Sequence, residues 1–84
     1  MAHLLYFASL RENLNSDQEQ LDLPRNISQV SELKDFLAQR GGRWSDAFEA
    51  KSRLLVAVNQ QMANEQSSIR NEDEIAFFPP VTGG

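Results

Sequence analysis

His3-Leu4-Leu5-Tyr6-Phe7-Ala8 is apolar at every position after the histidine. So short and uniformly apolar a run predicts a β-strand covered on both faces, and hence one near the centre of a sheet. Other stretches supply its partners. Leu54-Leu55-Val56-Ala57-Val58-Asn59 is rich in aliphatic and β-branched residues and gives the clearest strand in the chain. Glu74 to Phe78 gives another, closed by Pro79-Pro80. Each proline fixes φ and lacks an N–H, so a hydrogen-bond ladder stops at Phe78. Leu21 and Leu23 alternate with Gln20 and Asp22, a half-buried strand that Pro24 ends. Asn13 to Gln20 is polar apart from Leu14, so the first two strands pair most simply as a hairpin with a long turn.

Helical spacing fills the middle of the chain. Val30, Leu33, Phe36 and Leu37 recur at three- and four-residue intervals and form one apolar stripe. Ser28 is placed to cap this helix through its hydroxyl, Glu32 and Asp35 sit early and Arg40 late, and Gly41-Gly42 supplies a left-handed stop. Trp44, Ala47 and Phe48 are spaced for a short second helix with an aromatic face toward the body. Asn59-Gln60-Gln61 turns the chain, Met62 begins a short strand, Ile69 anchors a polar loop, and Asn71-Glu72-Asp73 makes the last turn. The layout is α+β: strands, a helix across one face, then more strands. With the first and last strands paired in parallel at the centre, it is the β-grasp, or ubiquitin-like, arrangement: a mixed sheet on one main helix, with a short second one. Residues 1–80 are expected to form this domain and residues 81–84 a flexible tail.

That tail, Val81-Thr82-Gly83-Gly84, has a definite shape. Pro-Pro favours an extended conformation that projects the last four residues away from the body. Four residues reach roughly 13–14 Å when extended. The tail narrows to two glycines without Cβ atoms, which suits a long, narrow pocket in another protein, with the unhindered carboxyl carbon of Gly84 as the reacting atom.

Composition excludes several other functions. The chain has 84 residues, no cysteine, and a net charge of −4 from 12 acidic and 8 basic residues. Without cysteine there is no disulfide, zinc-thiolate site or cysteine nucleophile, which fits a reducing compartment. No basic cluster exists to neutralise phosphates, so nucleic acid is not the expected partner. No apolar run approaches the ~20 residues that span a bilayer, and no basic-then-apolar leader opens the chain, so a cytoplasmic location and no membrane partner are expected. No metal site is expected. His3, the one histidine, reads as structural or solvated.

Leu5-Tyr6-Phe7-Ala8-Ser9-Leu10-Arg11-Glu12, Arg43-Trp44, Val56-Ala57-Val58-Asn59-Gln60 and Asp73-Glu74-Ile75-Ala76-Phe77-Phe78-Pro79-Pro80-Val81-Thr82-Gly83-Gly84 together resemble the small subunit of molybdopterin synthase. The matches run in order over nearly the whole chain. A terminal Gly-Gly is common to ubiquitin-like modifiers and sulfur carriers, whereas the Phe-Phe-Pro-Pro approach is specific. One departure is Glu72, where the family usually has glycine; a type I turn tolerates the change.

The resemblance implies a sulfur carrier for molybdenum cofactor biosynthesis. An E1-like adenylating enzyme would activate Gly84 as an acyl-adenylate, and a sulfur donor enzyme would convert it to a thiocarboxylate (a C-terminal 1-thioglycine). The charged carrier would dock on the synthase large subunit, in a heterotetramer of two small and two large subunits, and give its sulfur to cyclic pyranopterin monophosphate. No bound cofactor is implied, and the acid–base groups would belong to the large subunit. By the family's motif Phe7, Met62 and Phe77 form an apolar partner patch around the tail root. Since Phe77 and Phe78 must face opposite ways, Phe78 is expected inward and Phe77 outward. The alternatives are a thiazole-type sulfur carrier and a ubiquitin-like modifier that forms isopeptide bonds.

Overall fold

A computed structural model describes residues 1–49 and 53–80. In chain order its elements are β1 (Ala2–Tyr6), α1 (Ala8–Leu14), β2 (Gln18–Leu21), α2 (Val30–Ala38), α3 (Arg43–Phe48), β3 (Leu55–Val58), β4 (Gln61–Ala63) and β5 (Glu74–Phe78). The strands form one sheet in the order β2-β1-β5-β3-β4. β1 and β5 run parallel, pairing Leu4 with Ile75 and Tyr6 with Phe77, while the other neighbours are antiparallel. This is the expected mixed α+β sheet, with β5 in the middle.

Strand alternation sorts the side chains into two faces. Ala2, Leu4 and Tyr6 of β1, Val56 of β3, and Ile75 and Phe77 of β5 enter a core that also holds Leu10 and Leu14 of α1, Val30, Leu33 and Leu37 of α2, and Phe48 of α3. The helices therefore cover one face only. β1 was expected to be covered on both faces; instead His3 and Leu5 are half-buried on the open side.

Three local expectations are corrected. The polar hairpin turn is in fact interrupted by α1, whose signal is confined to Leu10 and Leu14, one turn apart. The helix ends on Asn15 in the left-handed region (φ 54°), with Asn15 N–H donating to Glu12 O and Ser16 N–H to Arg11 O, a motif that satisfies its last carbonyls. β2 lies two residues earlier than its leucines suggest: Gln18–Leu21 pairs with β1, Leu21 opposite Ala2 and Glu19 opposite Leu4. Gln29, not Ser28, is the N-cap of α2, in a reciprocal box with Glu32; the Ser28 hydroxyl donates to the Glu32 carboxylate.

The glycine pair divides its work. Gly41 (φ +81°) turns the chain after α2, as expected, while Gly42 (φ +55°) is the N-cap of α3. Asn59 and Gln60, both at positive φ (52° and 68°), form the two-residue β3–β4 turn between paired Val58 and Gln61, as hairpin twist requires. The Arg70–Asp73 turn is closed by Asp73 N–H donating to Arg70 O, and Glu72 has no positive φ, so nothing there requires glycine.

Candidate functional site

The open face of the sheet carries the functional geometry. Register places Leu55 beside Phe78, Ala57 beside Ala76, Met62 beside Ala57 and Leu5 beside Ala76. Together with Phe7 these residues form an apolar strip across four strands. Ala57 and Ala76 are buried yet stand outside the core cluster, because they form the floor of this strip. Phe7 is 45% exposed, Met62 64% and Leu55 36%. Large apolar side chains grouped on one otherwise uncovered face mark a surface built to be covered by a partner.

The strip ends at an aromatic pair. Phe7 N–H donates to Phe77 O at 3.1 Å, which carries the β1–β5 ladder one residue beyond β1. The Phe7 and Phe78 rings then meet edge-on, with centroids 6.3 Å apart at 66°. Immediately after Phe7 the backbone turns through Ala8 at φ 55° into α1. Leu10 thereby points into the core while Phe7 remains outside. Pro79 and Pro80 come directly after Phe78. The pair of exposed Phe7 and half-buried Phe78 thus stands directly before the two prolines.

Phe77 was expected in this strip and is not there. It is 0% exposed, and its ring contacts Tyr6 at 6.4 Å and Phe48 at 5.1 Å inside the core. Phe78 and Leu55 take the outward positions instead. The signal that finds Phe78 is Glu74: a carboxylate without a core partner faces out, and alternation carries Ala76 and Phe78 with it. Phe7 and Met62, the other two residues expected there, are exposed. Val81, Thr82, Gly83 and Gly84 lie outside the described residues.

Polar groups steady the strip from either side. On the open face His3 Nε2 and Gln18 Oε1 are 2.7 Å apart. Beneath the sheet, Glu19 accepts the Tyr6 hydroxyl at 2.7 Å and both terminal nitrogens of Arg40 at 2.8 and 2.9 Å. Arg40 in turn lies 4.4 Å above the Trp44 ring, which stacks on Phe48, so Trp44 joins the aromatic side of the core. Hydrogen bonding from Arg40 holds the Glu19 carboxyl below its ordinary range, while burial, reinforced by the bond to Glu19, raises the Tyr6 phenol far above its own. Both groups keep their neutral-pH forms, and the network ties β1, β2 and the α2–α3 corner together.

Among the described residues no three metal-ligating side chains converge, and no helix is long and apolar enough to cross a membrane. The arrangement offers an uncovered apolar face that ends beside Pro79 and Pro80.

Known proteins share this plan. A model described as the ThiS family matches residues 4–84. The molybdopterin synthase sulfur carrier subunit of Haemophilus influenzae is 44% identical over 84 residues, covering 100% of both chains. Its Escherichia coli counterpart is 38% identical, again over 100% of both. The crystal structure of SAMP1 from Haloferax volcanii superposes with a TM-score of 0.76 at 26% identity, covering 99% of this chain and 98% of that one. With a match across almost every residue and relatives this similar end to end, the chain belongs to the ThiS family, among the sulfur carrier subunits of molybdopterin synthase.

Proposed function

We propose that the chain carries sulfur as a thiocarboxylate on Gly84 and delivers it to cyclic pyranopterin monophosphate in the active site of the synthase large subunit. The observation that carries this reading is the apolar strip of Leu5, Phe7, Leu55, Met62 and Phe78, because its aromatic end is the residue from which Pro79-Pro80 lead into Val81-Thr82-Gly83-Gly84. A face to be covered and a tail to be inserted are continuous in the chain.

The chemistry is that of the terminus. A carboxylate is a poor acyl donor; adenylation by an E1-like enzyme gives it a phosphate leaving group. Attack of sulfide-level sulfur, released by the donor enzyme, on the acyl carbon forms the C–S bond and breaks the C–O bond to AMP, leaving the thiocarboxylate, whose ionised, soft sulfur is a good nucleophile. Glycine leaves the carbonyl open on both sides. General acid–base groups come from the partner, and the strip seats the carrier so that Val81 and Thr82 line the approach while Gly83 and Gly84 enter the narrow end.

Intact-mass measurement tests this directly. After incubation with the adenylating enzyme, ATP and a sulfur donor, the chain should exchange one oxygen for one sulfur, and the product should yield molybdopterin when mixed with the large subunit and pyranopterin. An unchanged mass would end the proposal. A mass change with no molybdopterin would instead indicate a different acceptor.

A further inference from the structure

We infer that Met62 is an oxidation site whose conversion to the sulfoxide weakens docking of the free carrier; this rests on the docking reading above. The chain contains no cysteine and two methionines, so on the bare polypeptide peroxide chemistry is directed at thioethers. Met1 and Met62 are 69% and 64% exposed, and they differ in setting. Met62 stands on β4 opposite Ala57, whose neighbour on β5 is Ala76, so its thioether belongs to the same open face as Leu55 and Phe78. Met1 precedes Ala2, whose partner on β2 is Leu21, at the opposite end of β1 from the Phe7–Phe78 pair.

The reaction balances with a hydroperoxide as the only oxidant. The Met62 sulfur lone pair attacks one peroxide oxygen and the O–O bond breaks. An S–O bond forms and water leaves with the remaining oxygen and both protons, in the case of hydrogen peroxide. Sulfur loses two electrons and the peroxide gains them. A flexible apolar side chain becomes a polar one with a strong acceptor. Covering that acceptor with an apolar partner surface leaves it unsatisfied, which weakens docking roughly tenfold or more. Because Met62 is on an edge strand and outside the core cluster, the fold is not at stake.

The test uses the full chain and the large subunit. Wild type and Met62→Leu are treated with hydrogen peroxide, checked by intact mass, and titrated into the large subunit; a methionine sulfoxide reductase is then applied. Wild type should gain two oxygens and lose affinity about tenfold or more, and reduction should restore it. Met62→Leu should gain one oxygen, at Met1, and bind as before treatment. Oxidised wild type that docks unchanged, or a Met62→Leu protein that loses as much affinity, would overturn the inference. Untreated Phe78→Ala that docks as tightly as wild type would instead remove the docking face, and this proposal with it.

Discussion

Phe77 and Phe78 are identical in chemistry and adjacent in sequence, yet the pleat gives them separate tasks. Phe77 fills the core against Tyr6 and Phe48, whereas Phe78 meets Phe7 on the open face. Phe77→Ala should therefore cost roughly 3–5 kcal/mol of stability in a denaturant titration, as deletion of a buried aromatic does. Phe78→Ala should leave the unfolding midpoint nearly unchanged and weaken large-subunit binding by about 1–2 kcal/mol or more, measured by calorimetry. If the two results were exchanged, the facing of β5 would be wrong. Alternation alone says that the two rings diverge; only the register, anchored by Glu74 outside and Ile75 inside, says which goes where. That is why the apolar patch was legible as a kind of surface while one of its members was off by a single position. The aromatic ending also points to the family more sharply than it assigns the two rings.

At the scale of elements, the Tyr6–Glu19–Arg40 network predicts a pH response at both extremes. The carboxyl of Glu19 is held low in the folded state, so its contribution is present above the ordinary Glu pKa of about 4.3 and is lost as pH falls through the folded value. Glu19→Gln should thus be less stable than wild type at neutral pH, and the gap should narrow in acid. The phenol of Tyr6 is held high, so the unfolded chain ionises first as pH rises past about 10 and stability declines there. Tyr6→Phe should flatten that alkaline limb in a pH series of thermal melts. The same network explains why β2 was misplaced in the sequence: an inward-facing glutamate satisfied by an arginine from another element leaves no alternating pattern to read. α1 escaped notice for a related reason, since seven residues with one leucine pair are too few to display a stripe. Lys34 is similar: only 5% exposed, its amine meets Glu65 at 2.7 Å and helps pin the loop after β4 onto α2. By contrast, the strong apolar runs of β1, β3 and β5 and the stripe of α2 were legible, because they bury enough surface to dominate local composition.

For the whole molecule, the proposed division between a delivering body and a reactive end predicts that deleting Gly83 and Gly84 leaves stability within roughly 0.5 kcal/mol of wild type. Sulfur transfer should be abolished, as read by molybdopterin formation. The parallel β1–β5 pairing has a different consequence, one for synthesis. β1 leaves the ribosome well before β5 and must wait for the intervening β2, three helices, β3 and β4 before its parallel partner exists, a non-local contact of the kind that slows folding. Without β5 the sheet order β2-β1-β5-β3-β4 breaks into two two-stranded fragments, each marginal in water on its own. A chain stopped at Asp73 should give the circular dichroism of an unfolded polypeptide; a cooperative melt from it would contradict this view. Under the proposed chemistry translation therefore acts as a checkpoint: a chain long enough to carry Gly84 already contains its own middle strand, so a half-made body would not present Gly84 to an adenylating enzyme.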